Sequence, residues 1–263
     1  MQEVIIIKLG GSLITNKNKP FTYNSQIVEK IIKEIKDSIP KIKEKIILTN
    51  GAGSFGHPLA KKYKIIDGYK NKESIRGFCL TQNAVSKLNK FILKELLKNK
   101  INALTIHPSS IVTFNGNKFE MFDKTLINSI ENNIIPLLYG DVIFDLNKKF
   151  SIISTEQIIN LISKDLKKKY KIKKIILAGI TNGVYDKNEK LIPTINNQNI
   201  KEILNNNLKS DGIDVTGGMF HKIKEMQNLA GKDIKIQIIN GLIKGNLKKS
   251  ITSNLNIGTT IEK

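Results

Sequence analysis

The chain has 263 residues, enough for one large α/β domain or two lobes sharing a sheet. A formal net charge of +20 points to an anionic partner, but Arg76 is its only arginine, whereas nucleic-acid readers lean on the planar guanidinium fork. Its single cysteine, Cys79, excludes an intrachain disulfide framework and a cysteine-built zinc site.

Residues 4–9 are a nearly continuous apolar, β-branched run and read as a buried parallel strand. The run ends in Lys8-Leu9-Gly10-Gly11-Ser12, followed by Thr15 and Lys17, so two lysines flank a loop whose glycines admit close backbone approach. Residues 27–39 carry a helical apolar stripe closed by Pro40. A short strand at 46–48 then leads into N-G-A-G-S-F-G-H-P, from Asn50 to Pro58. Gly51, Gly53 and Gly56 suit a loop that turns N–H groups toward an anion, with a helix expected after Pro58. His57 adds a switchable donor. Alone, this stretch is a tight turn with a surface histidine.

Further on, residues 69–73 read as an exposed connection, 84–98 as an amphipathic helix and 101–106 as a strand. Cys79, within Phe78-Cys79-Leu80, reads as a packed thiol. His107 has no partner nearby in sequence and reads as structural. Asn115-Gly116-Asn117 predicts a hairpin between residues 111–114 and 118–121. A helix is expected at 124–131, and a strand at 134–139 ends in Gly140-Asp141, where open α/β sheets place ligand contacts. Ser154 is an expected N-cap for a helix at 155–167, with Glu156 in its first turn. The lysine run 167–174 reads as a solvated linker between an N-terminal lobe, 1–168, and a C-terminal lobe, 169–263. Beyond it lie a strand at 175–178, a short helix at 200–204, and Asp214-Val215-Thr216-Gly217-Gly218-Met219 opening a helix that carries Lys222. A central strand at 234–239 and a closing edge strand at 258–261 complete the pattern.

Alternating strands and helices predict an α/β fold, an open αβα sandwich with a mostly parallel central sheet. In such a sheet four glycine-bearing loops, expected after strands at Gly10-Gly11, Gly51–Gly56, Gly140 and Gly217-Gly218, gather at one edge with Lys8, Lys17 and Lys222. Glycine-loop donors and point-charge lysines are what phosphoryl transfer requires. The Walker A pattern is absent, and Gly51-x-Gly53-x-x-Gly56 matches a dinucleotide fingerprint in spacing only.

Lys8-Leu9-Gly10-Gly11-Ser12, the Gly51–His57 loop, Gly140-Asp141 and the 214–222 element together resemble the amino acid kinase superfamily. G-A-G-S-F-G-H-P and D-V-T-G-G-M-x-x-K are similar to the isopentenyl phosphate kinases within it. The resemblance runs nearly end to end. It implies an enzyme, usually a homodimer, that transfers the γ-phosphate of ATP to isopentenyl phosphate, with Mg²⁺ expected to ride on the ATP; residues 1–8, which run straight into a strand, read as the start of a cytoplasmic protein. It also implies roles. Lys8, Gly10, Gly11 and Ser12 would cradle the ATP phosphates, which Gly53 would face. Lys17 would stabilise the transferring group, and Ala52, His57 and Gly140 would hold the acceptor. Gly218 and Lys222 would serve the nucleotide. Two places depart from the family pattern. Its S-G-D reads Ser154-Thr155-Glu156, so Glu156 keeps the charge that organises lysines or metal, one methylene further out. Its T-D-x-D-G-V-Y reads Gly179-Ile180-Thr181-Asn182-Gly183-Val184-Tyr185, without either aspartate.

Relatives that bind carboxylates need a bidentate arginine, whereas a phosphate held by His57 and backbone N–H groups needs none. Phe78 and Ile152 are the residues expected to wall an organic tail. Competing readings are a kinase for another small phosphate or phosphonate, such as fosfomycin, and a basic non-catalytic binder of RNA or a nucleotide. Neither a nucleic-acid nor a membrane partner is expected.

Overall fold

The computed structural model describes residues 1–207, 218–231 and 234–262. Strand β1 (Gln2–Leu9) carries Val4 to Ile7, all at most 1% exposed, because both faces of its sheet are covered. The chain continues through α1 (Gly11–Ile14), α2 (Ser25–Ser38), β2 (Lys45–Asn50), α3 (Gly53–Lys62) and α4 (Lys72–Lys98). Next come β3 (Ala103–Thr105), α5 (Pro108–Ile111), β4 (Val112–Phe114), β5 (Phe119–Met121), α6 (Lys124–Glu131) and β6 (Ile135–Tyr139). Strands β7 (Asp141–Asp145) and β8 (Lys149–Ile153) lead to α7 (Thr155–Leu166) and β9 (Tyr170–Gly179). The remainder comprises β10 (Val184–Tyr185), β11 (Leu191–Ile192), β12 (Thr194–Ile195), α8 (Ile200–Asn207), α9 (Gly218–Gln227), β13 (Lys235–Asn240), α10 (Asn246–Thr252) and β14 (Thr259–Ile261).

Eight strands form the central sheet in the order β12-β14-β13-β9-β1-β2-β6-β3, parallel except where β14 runs against β13. Alternation along β1 divides the interior in two. Val4 and Ile6 pack in one cluster with Leu126, Ile158, Ile162 and Ile223, from α6, α7 and α9. Ile5 and Ile7 pack in the other with Ile31, Ile35, Leu88 and Ile92, from α2 and α4. This is the expected αβα sandwich. No described helix is long and apolar enough to cross a membrane.

Several local expectations are corrected. The predicted hairpin forms, but its strands join β7 and β8 in a separate four-stranded sheet, ordered β5-β4-β7-β8. Helix α4 starts twelve residues before the expected 84, at an Asn71/Ser74 capping box. Its early buried face is Ser74, Gly77 and Thr81, which an apolar count passes over, and Cys79 falls outside that stripe and is exposed. The closing strand lies inside the sheet, because β12 pairs outside β14. The expected linker 167–174 is largely strand, because β9 begins at Tyr170.

Lys174 shows why that lysine run is not simply solvated. It is 3% exposed, and its Nζ donates to Ser250 O at 2.5 Å and Ser253 O at 2.7 Å, at the C-terminal end of α10. Burial, then Lys235 and Lys173, pull its ammonium down to about 8 from 10.5. A folded value below the unfolded one means the unfolded chain binds more protons between those limits, so this group's contribution rises with pH from about 8 to 10.5. That rise amounts to about 3 kcal/mol. Denaturant melts of wild type and Lys174→Met at pH 8 and pH 10 should therefore differ in pH slope by that order, and parallel slopes would contradict the assignment.

Candidate active site

The C-terminal ends of β9, β1, β2 and β6 lie side by side, and the residue following each of three strands closes a backbone link to its neighbour. Gly10 N–H donates to Ala178 O at 2.8 Å, Gly51 N–H to Leu9 O at 2.9 Å and Gly140 N–H to Asn50 O at 3.2 Å. Three of the four predicted glycine elements are thus brought to one edge. Of the fourth, Gly218 opens α9 as expected, while 208–217 lie outside the described residues.

The first two loops touch each other. A Cβ on Gly11 would come within 2.6 Å of Gly53 N, and one on Gly51 within 2.8 Å of Gly11 N. Gly53 has φ +49° and could carry a side chain only by overlapping Thr15 Oγ1 and approaching Gly11 O to 2.9 Å. Thr15, 1% exposed, holds the contact: its hydroxyl donates to Gly11 O at 2.7 Å and accepts from Ser54 N–H at 3.0 Å. Helix α3 begins at Gly53, not after Pro58, so His57 projects from its second turn. The Ser54 N–H is taken by Thr15, while the Phe55 and Gly56 N–H groups reach Ala52 O.

Charge converges on the same edge. Lys8, 5% exposed, forms a buried ion pair with Glu156 at the start of α7, where Ser154 and Gln157 build a capping box. Burial pushes the Glu156 carboxyl up, but Lys8 and then Lys222 outweigh it and hold it below the ordinary range. Asn160, one turn on from Glu156, donates to Glu225 of α9, one turn on from Lys222, and so ties these helices together. The imidazolium of His57 is held below its usual value by burial, then by Lys17 and Lys8, although the residue is exposed overall. Lys8 thus acts on both His57 and Glu156, with Lys17 acting on the first and Lys222 on the second. Among the described residues no three metal-ligating side chains gather.

Thr155, where the resemblance implies glycine, is 3% exposed and turned into the protein. Its hydroxyl donates to Asn50 O at 3.0 Å and would be 3.1 Å from a Cβ on Gly140, so it braces the base of the glycine loop. Phe78 and Ile152 meet in one apolar cluster with Ile65, Val142 and Phe150, and the Phe78 ring lies 5.2 Å from that of Phe150. Asn182 receives a hydrogen bond from Asn240 at 2.9 Å.

The sequence reading missed a polar network behind Gly140. His107, read as lacking a partner, lies with Nδ1 2.6 Å from Tyr139 Oη. Asp141 accepts from the Ser109 and Val142 N–H groups, yet burial drives its carboxyl up to about 6. Asn89 donates to Asn50 Oδ1 at 2.9 Å and accepts from Thr105 at 2.6 Å. The one available signal was Asn89 on the apolar stripe of α4.

Residues 3–240 match the profile of the Amino acid kinase family. The isopentenyl phosphate kinase of Methanothermobacter thermautotrophicus is 36% identical over 269 residues, with 98% of each chain covered. That of Methanocaldococcus jannaschii is 36% identical over 267 residues, again with 98% of each covered. A solved isopentenyl phosphate kinase superposes with a TM-score of 0.81 at 32% identity, over 98% of this chain and all of the other.

Proposed function

Because the chain belongs to the amino acid kinase family and groups with its isopentenyl phosphate kinases, we infer that it transfers the γ-phosphoryl group of ATP to isopentenyl phosphate, giving isopentenyl diphosphate. The observation that carries this reading is the pair of touching glycine loops at the strand edge, with the buried Lys8–Glu156 pair on β1 and α7 and His57 on the helix that Gly53 opens. Phosphoryl transfer asks for two anions in line and neutralised transition-state charge, with little covalent help.

In this reading Lys8, Gly10, Gly11, Ser12, Gly53, Gly218 and Lys222 hold the triphosphate, and Lys17 neutralises the group in flight. Ala52, His57 and Gly140 hold the acceptor phosphate, and Phe78 and Ile152 wall its hydrocarbon tail. Residues 1–168 take the acceptor and, through Lys8 and the glycine loops, part of the triphosphate, and 169–263 take the rest of the nucleotide, in a cytoplasmic homodimer. Mg²⁺, when bound, offsets phosphate charge. The side chains fit an ion held mainly by the nucleotide, since Glu156, the site's carboxylate, is paired with Lys8. Steady-state assays with ATP and isopentenyl phosphate, dimethylallyl phosphate or fosfomycin test the reading. A strong preference for fosfomycin would overturn the choice of acceptor, and RNA binding without ATP turnover would overturn catalysis.

His57 serves as a hydrogen-bond donor to the acceptor phosphate, whose oxygens are already ionised near neutral pH and need no base. His57→Ala should raise the acceptor KM about 10- to 100-fold, the worth of a charge-assisted bond. His57→Gln keeps a donor and should stay within about tenfold of wild type in kcat/KM. Because its pKa is depressed in the free site, acceptor binding near pH 7 should draw in a proton. Calorimetry in buffers of different ionisation enthalpy would detect this, and the uptake should vanish in His57→Gln. Equal losses in the two variants would exclude the donor role.

A further inference from the structure

Pro58 lies inside α3 and has no N–H, so the carbonyl four residues earlier, Ser54 O, loses its helical donor. That carbonyl is not left empty: Phe21 N–H donates to it at 3.1 Å. Phe21 belongs to the short antiparallel flap that carries Lys17. The flap is closed by a Thr15–Tyr23 bridge, by Asn16 N–H to Thr22 O at 3.0 Å and by Asn24 N–H to Ile14 O at 2.9 Å. To make its bond Phe21 adopts φ +55°, a conformation a bulky residue rarely takes, and remains 50% exposed. Its ring stands edge-on to Phe55 of α3, with centroids 5.9 Å apart. Strain of this kind persists only where surrounding contacts over-determine it. The Ser54 backbone is therefore held at both of its polar groups, its N–H by Thr15 and its carbonyl by Phe21.

We propose that Pro58 and Phe21 are positioning residues: proline opens a carbonyl in the His57 helix, and Phe21 fills it, fixing Lys17 in register with the acceptor loop. This rests on the kinase reading for its effect on rate, but the seat itself can be tested without it.

The test is Pro58→Ala. Alanine restores an N–H that competes for Ser54 O and favours the helix, so the melting temperature should hold or rise. Amide exchange across residues 16–23 should nevertheless accelerate, with kcat for isopentenyl phosphate falling about tenfold and both KM values staying within about twofold. In a Lys17→Ala background, single-turnover rates should show no further loss on adding Pro58→Ala, because the proline acts through Lys17. Unchanged exchange, an unchanged kcat, or an additive loss in the double variant would each overturn the proposal. The additive loss would assign the effect to neighbouring His57. A wild type inactive with isopentenyl phosphate would instead refute the kinase reading, and the exchange comparison would still decide the seat.

Discussion

Glu156→Ala is expected to destabilise the protein by about 3–5 kcal/mol, the usual cost of removing one partner of a buried ion pair. It strands Lys8, 5% exposed, within the field of other site lysines. The pH dependence fixes the cause. The folded carboxyl is held below its unfolded value of 4.5, so its contribution is complete above that value and is lost as pH falls through the lower one. Glu156→Gln should flatten stability in that acid window. If a triphosphate lies against Lys8, saturating ATP should restore more stability to Glu156→Ala than it adds to wild type. Thermal melts with and without ATP measure both effects, and equal ATP shifts would remove Lys8 from the nucleotide site.

The second large effect belongs to Gly53→Ala. The new methyl would overlap Thr15 Oγ1 and press on Gly11 O, on a backbone held at φ +49°. The left-handed conformation alone costs about 1–2 kcal/mol for a residue with a Cβ. The larger consequence is separation of the two glycine loops. A displacement near 1 Å in a site that works by alignment costs about 100-fold in rate. Gly53→Ala should lose at least that in kcat while keeping its far-ultraviolet circular dichroism. Turnover within threefold of wild type would mean that loop contact does not set the reacting geometry.

The fold and the residues that make up the candidate site were legible because they depend on residue type and period. The β-branched strand cores, the Ser154 cap and the Asn115-Gly116 turn all report local preferences, and each appears where expected. What stayed hidden depends on contacts between distant segments. Gly11, Gly51 and Gly53 look like glycines that make room for a ligand, yet the structure shows them also making room for one another. Thr15 drew no particular attention, and it clamps both loops. Pro58 read as the end of a loop, whereas its missing N–H is answered by Phe21, thirty-seven positions earlier. Small buried residues such as Gly77 and Thr81 carry no apolar signal, so the first turns of α4 were missed.

The place of β1 between β2 and β9 bears on how the chain is made. β2 is available once residue 50 has emerged from the ribosome, but β9 ends only at Gly179. At about 5–20 residues per second, β1 waits several seconds with one edge unpaired. That edge presents Val4-Ile5-Ile6-Ile7, an uncharged β-branched run of the kind that recruits foreign strands. Nascent chains stalled before residue 170 should therefore depend on chaperones, and those stalled well beyond residue 179 should not.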